Sequence, residues 1–200
     1  MHLTFSWILV VAFMVSTPAA GSQITIRIYD YAKTEPRLLQ RAQQQAAKIL
    51  ERAGVASLWE KCRTSEKETE QDASCAQRAG AAVIYLRVYP ANMAKKIATA
   101  GLQFGFSLPS DRGFGVIAGV YLDRILDFAQ LMGLDAEIVL GHTMAHEIGH
   151  LLLGSNSHAS QGIMRPAWDH RDIHLAKTGV LGFTDAQAER MQAQVAARLR

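Results

Sequence analysis

The chain has 200 residues, a formal net charge of +3, and a composition that is 49% hydrophobic and 20% charged. These are the proportions of an ordinary globular protein. No run of five or more Lys and Arg occurs, which leaves nucleic-acid binding with little support.

In chain order, Trp7 to Val15 forms a short apolar core, followed by the small residues of Ser16-Thr17-Pro18-Ala19-Ala20-Gly21. Residues 1–21 therefore read as a signal peptide, although the leading segment has His2 and no Lys or Arg. The stretch is too short to span a bilayer comfortably, so no lasting membrane association is expected after cleavage, and the destination is periplasmic or secreted. Residues 22–200 are long enough for one domain with a substantial core, expected to be monomeric. Cys62 and Cys75 are the only cysteines, and in an exported chain such a pair predicts a disulfide closing a polar loop.

Ile24, Ile26 and Ile28 alternate with polar residues, the pattern of a half-buried strand. Thr34-Glu35-Pro36 opens a helix whose apolar face is Leu38, Leu39, Ala42, Ala46, Ile49, Leu50 and Ala53, ended by Gly54. A second strand is expected over Val55 to Trp59 and a third, central one over Ala81 to Tyr89. A short helical segment follows from Pro90 to about Ala100. Alternation at Leu102, Phe104, Phe106 and Leu108, and again at Val116, Ala118, Val120 and Leu122, reads as a hairpin or a strand flanked by a glycine-rich loop. A helix over Asp123 to Leu131 precedes a longer one beginning at Asp135, a suitable N-cap. Arg165 to Gly182 reads as irregular. Thr184 and Gln187 form a capping-box pattern for a last helix with Ala188, Met191, Val195 and Leu199 as its buried stripe.

The long helix carries the chemistry, in His146-Glu147-Ile148-Gly149-His150. Side chains four apart share a helix face, so the two imidazoles can bind one metal ion, while Glu147 reaches a metal-bound water without being a ligand. That is the arrangement of a zinc hydrolase, which needs a third ligand and an open position for water. Gly154 ends the helix, and the turned chain could return His158 to the metal. Gly162-Ile163-Met164-Arg165-Pro166 then supplies a tight turn with a methionine.

In these residues the sequence resembles the metzincin zinc metallopeptidases, in their bacterial matrixin-like form. The resemblance implies an α+β zincin domain: a mixed twisted sheet, a long active-site helix, a Met-turn and a C-terminal helix. It makes His146, His150 and His158 ligands of a zinc ion, Glu147 the general base and Met164 the Met-turn residue. It also implies peptide or protein substrates, lying as an extended strand along a sheet edge, for which residues 115 to 122 are the candidate.

The chain departs from the family in spacing. Glycine and histidine stand three and six residues after the second ligand in the family, whereas here Gly154 is four after and His158 eight after. Leu153 and Asn156 fill the strict positions. Competing third ligands are Asp169, His170, Asp172, His174 and, on the last helix, Glu189. No tyrosine follows Met164 closely. His142 lies on the ligand face and reads as a core or rim histidine, and Trp168 as a pocket wall or a loop anchor. Two functions result: an exported zinc endopeptidase, or an inactive module of the same fold that binds metal and peptide.

Overall fold

A computed structural model describes residues 23–65, 73–76, 80–97, 103–110 and 114–200. The expected signal peptide lies outside these residues, as do the end of the segment expected to reach Ala100 and the middle of the hairpin loop. Five strands are seen: β1 (Gln23–Asp30), β2 (Ala56–Cys62), β3 (Val83–Tyr89), β4 (Gly105–Leu108) and β5 (Ile117–Tyr121). They form one sheet in the order β2-β1-β3-β5-β4, parallel throughout except for β4, which runs antiparallel to β5.

The helices are α1 (Pro36–Arg52), α2 (Ala73–Ala76), α3 (Ala91–Ile97), α4 (Leu122–Met132), α5 (Ala136–Leu153), α6 (His170–Lys177) and α7 (Asp185–Arg198). Glu35 caps α1 by accepting from the backbone N–H groups of Arg37 and Leu38. The inward residues of β1 and β3 (Ile24, Ile26, Ile28; Ile84, Leu86, Val88) join the apolar faces of α1 and α5 in one continuous core. Gly141 permits the close crossing of those helices: a Cβ there would lie 2.7 Å from Gln45 Cβ and 2.8 Å from the Ala42 carbonyl oxygen. Helix α5 is buried on nearly every side, as befits an element at the centre of a core.

The far end of α5 is held by α7. The Arg190 guanidinium donates to the Leu153 carbonyl at 2.9 Å, and that of Arg198 to the Leu151 carbonyl at 2.6 Å. These are carbonyls of the last turn, which have no partner within a helix. Arg198 also bonds Ala81 and Gly115 carbonyls and lies over the Phe114 ring. Cys62, ending β2, is disulfide-bonded to Cys75 in α2.

Four expectations are corrected. The candidate edge at residues 115 to 122 is interior, since β5 lies between β3 and β4; the edge strand at that end of the sheet is β4. The reason is that the second strand of the hairpin, β5, is the one that pairs with β3, which leaves β4 outside. Arg165 to Gly182 is not wholly irregular: α6 occupies its middle, started by a capping box between Asp169 and Asp172. Leu199 is 44% exposed and does not complete the α7 stripe; Arg198 is buried there instead, because three carbonyls receive it. Asp135 stands at the start of α5, but its side chain makes no capping hydrogen bond.

Candidate metal centre

Helix α5 sets His146 and His150 one turn apart, with their Nε2 atoms 3.0 Å from each other and ring centres 4.7 Å apart. After the helix, Gly154 takes a positive φ of 88° and Asn156 one of 58°. These two residues absorb the longer loop and return the chain. The His158 ring stands 5.6 Å from that of His146 and 4.7 Å from that of His150. One nitrogen from each of the three lies within 4.8 Å of the others, and this is the only such cluster of His, Cys, Asp or Glu among the described residues.

The competing ligands are engaged elsewhere or remote. Arg165 donates to both Asp169 and Asp172 at 2.6 Å, and the two aspartates also cap α6. His170, His174 and Glu189 do not join the cluster.

Each α5 imidazole has its outer nitrogen fixed. His146 Nδ1 is 2.7 Å from the Ile163 carbonyl oxygen, so that nitrogen carries the proton and Nε2 presents a lone pair. His150 Nδ1 is 2.7 Å from Ser157 Oγ. Burial pushes His146 below its usual range and, with His146 and His158 as neighbours, drives His150 down to about 3. Both are therefore neutral near pH 7, the form that binds a metal. Three imidazoles converging on one point beside a carboxyl match the donor set of a catalytic zinc.

The turn beneath is fastened at several points. Gly162 has φ 76°, the Ile163 N–H donates to the Gly182 carbonyl at 2.8 Å, and the Ala159 N–H to the Met164 carbonyl at 2.9 Å. Met164 is fully buried, and its sulfur lies 2.8 Å from where a Cβ on Gly149 would be. The methionine thus underlies the ligand helix at the glycine between the two histidines.

Glu147 is 6% exposed and lies against β4. A Cβ on Gly105 would sit 2.8 Å from its Oε1, so glycine is needed there for close approach. The Ser107 side chain hydrogen-bonds the carboxyl; burial nonetheless raises its pKa to about 8. Neither Gly105 nor Ser107 carries a signal in the sequence, because their role depends on the pairing of β4 with β5.

A cleft of about 650 Å³ opens over this centre. Its walls include Trp168 and the pair Phe104 and Phe128, whose ring centres are 4.9 Å apart. Trp168 does both things its position suggested: it lines the cleft and packs edge-on against the ring of His142, 5.5 Å away. His142 is wholly buried, bonded through Nδ1 to the Ile138 carbonyl at 2.7 Å, and burial pushes its pKa down to about 4. No tyrosine lines the cleft among the described residues. No described helix is long and apolar enough to cross a membrane.

No protein-family model matches the chain, and no curated protein does. Among solved structures it is similar to the archaemetzincin of Methanopyrus kandleri, at 16% sequence identity over 88% of this chain and 97% of that one, with a TM-score of 0.47.

Proposed function

We propose that the chain is an exported zinc-dependent peptidase of metzincin type, hydrolysing peptide bonds with His146, His150 and His158 as ligands and Glu147 as general base. The observation that carries this reading is the meeting of three imidazoles beside a buried carboxyl at the floor of an open cleft. Zinc in that cradle would supply an acidified water and an electrophile for the scissile carbonyl. Glu147 takes a proton from the attacking water as the C–O bond forms, then passes it to the leaving nitrogen as the C–N bond breaks. The cycle returns the carboxyl to its starting state and releases a carboxylate and an amine.

Substrate placement follows from the edge. β4 has a partner on one side only, so its outer backbone groups can pair with an extended peptide crossing the cleft. The Phe104, Phe128 and Trp168 walls suit an apolar side chain beside the cleaved bond, and Arg165 offers little free charge because two aspartates hold it. The disulfide is compatible with an oxidising compartment outside the cytoplasm.

A second reading, a metal-bearing module that binds peptides without cutting them, draws support from the high pKa of Glu147, which keeps it protonated near neutrality in the metal-free protein, and from the absence of a cleft tyrosine among the described residues. One experiment separates the two. Metal analysis and a peptide-library digest are run on wild type, Glu147→Gln and His158→Ala. The peptidase reading expects one zinc per wild-type chain, chelator-sensitive cleavage, and a fall of about 10²–10⁴ in rate for Glu147→Gln with zinc retained. Zinc without cleavage in the wild type selects the binding module. Zinc retained unchanged in His158→Ala removes that ligand.

A further inference from the structure

We propose that Ser157 joins the second and third histidines of the centre, fixing the His150 tautomer with its hydroxyl while its place in the chain seats His158. The inference rests on the zinc reading above.

Between Gly154 and Ser160, Ser157 is the one buried residue; Ser155, Asn156, His158 and Ser160 are all exposed. An inward hydroxyl in an otherwise solvated loop requires a partner, and here it is His150 Nδ1 at 2.7 Å. The opposite nitrogen, Nε2, faces His146 Nε2 at 3.0 Å and is therefore the ligand atom. An imidazole that ligates through neutral Nε2 keeps its proton on Nδ1, so the hydroxyl oxygen must accept. Without that oxygen the Nδ1 proton loses its acceptor, and the ring is free to turn or to carry its proton on the wrong nitrogen.

His146 is secured differently. Its Nδ1–H is held by a backbone carbonyl, that of Ile163, which no side-chain substitution removes. The orientation of His150 rests on one exchangeable hydroxyl. That hydroxyl belongs to the residue immediately before His158, so a single hydrogen bond constrains one ligand directly and the next through a peptide link. Gly154 and Asn156, both at positive φ, bring the chain around, and Ser157 stops it against the helix. The same contact accounts for how a third ligand eight residues after His150 reaches the cluster.

The test is zinc affinity, measured by competition with a chromogenic chelator on the full chain with its disulfide intact, beside the melting temperature of the metal-free protein. Ser157→Ala should weaken zinc binding by about 10–100-fold, the usual cost of losing a partner to a ligand histidine. Ser157→Thr, which keeps the hydroxyl, should stay within a few-fold of wild type. A contact that only stabilises the loop would lower the metal-free melting temperature and leave the affinity alone. A loss below tenfold for Ser157→Ala, or an equal loss for Ser157→Thr, overturns the proposal. Failure of the zinc reading is seen separately: wild type would bind no better than His146→Ala.

Discussion

The sheet with α1 and α5, and the segment from Gly154 to Asp169, are held by different forces. In the first, Ile24, Ile26, Ile28, Leu86, Leu140 and Ile148 share a continuous apolar core, and position follows from many weak, non-directional contacts. In the second, only Ile163 and Met164 are fully buried apolar anchors, and the rest is placed by single hydrogen bonds to imidazole nitrogens and stray backbone groups. His146, Glu147 and His150 come with the core; His158, the ring orientations and one cleft wall come with the segment. Stability and metal affinity should therefore respond to different residues.

The largest expected effect breaks the core side. Leu140 is fully buried on α5, and Leu140→Ala removes apolar contacts and leaves a cavity, costing about 2–5 kcal/mol. For a chain of this length each kcal/mol lowers the melting temperature by about 2–4 °C. Zinc affinity of the protein that remains folded should stay near wild type, because no ligand contact is altered. A melt and a zinc titration on one preparation decide it: a tenfold loss of affinity in Leu140→Ala would show that the two regions are not separable.

The same division explains what could be read in advance. Alternation in Ile24-Ile26-Ile28 and the apolar face of α1 are set by burial, which writes a period into the sequence, and the structure carries both. His146 and His150 stand four residues apart on a helix with Glu147 next to the first, so their grouping is legible without the fold. The order of strands was not. Whether β4 or β5 is the edge depends on which of the two pairs with β3, and both have the same alternation. Helix α6 was missed because polar residues dominate it; its start is encoded in the Asp169–Asp172 capping box, a signal that could have been found. The Ser157 and Ser107 contacts leave no pattern, since a serine beside a histidine in a loop is ordinary.

An intermediate effect is expected where the two regions meet, at His142. The residue is wholly buried in α5 with Trp168 of the loop against its ring. Its folded pKa of about 4 lies below the ordinary histidine value of 6.5, so the unfolded chain takes up a proton first as pH falls. Stability is unaffected above about 6.5, is lost progressively between 6.5 and 4, and levels off below. At 1.36 kcal/mol for each pKa unit the loss from this group is on the order of 3 kcal/mol. Denaturation of the metal-free protein at several pH values measures it, and His142→Leu should flatten this part of the acid limb. An unchanged limb in the variant would assign the loss to other groups, His146 and His150 first among them.

The smallest expected effect sharpens the comparison at the Glu147 carboxyl, where an edge strand of the sheet touches the centre. Ser107 on β4 hydrogen-bonds Glu147, and this contact lowers a pKa that burial raises. Removing the hydroxyl in Ser107→Ala leaves the carboxyl less constrained and shifts its titration further upward, because the ionised form loses a donor. On the peptidase reading, the zinc-loaded protein should then lose about tenfold in kcat, equivalent to ~1.4 kcal/mol, with KM nearly unchanged. The acid limb of its pH–rate profile should move to higher pH, so the deficit is greatest in acid and shrinks as pH rises. Since the hydroxyl serves the ionised carboxylate, Ser107→Thr should restore both rate and profile. A deficit equal at every pH would mean that β4 had shifted as a whole and that Ser107 acts on the position of the strand, with the carboxyl following passively.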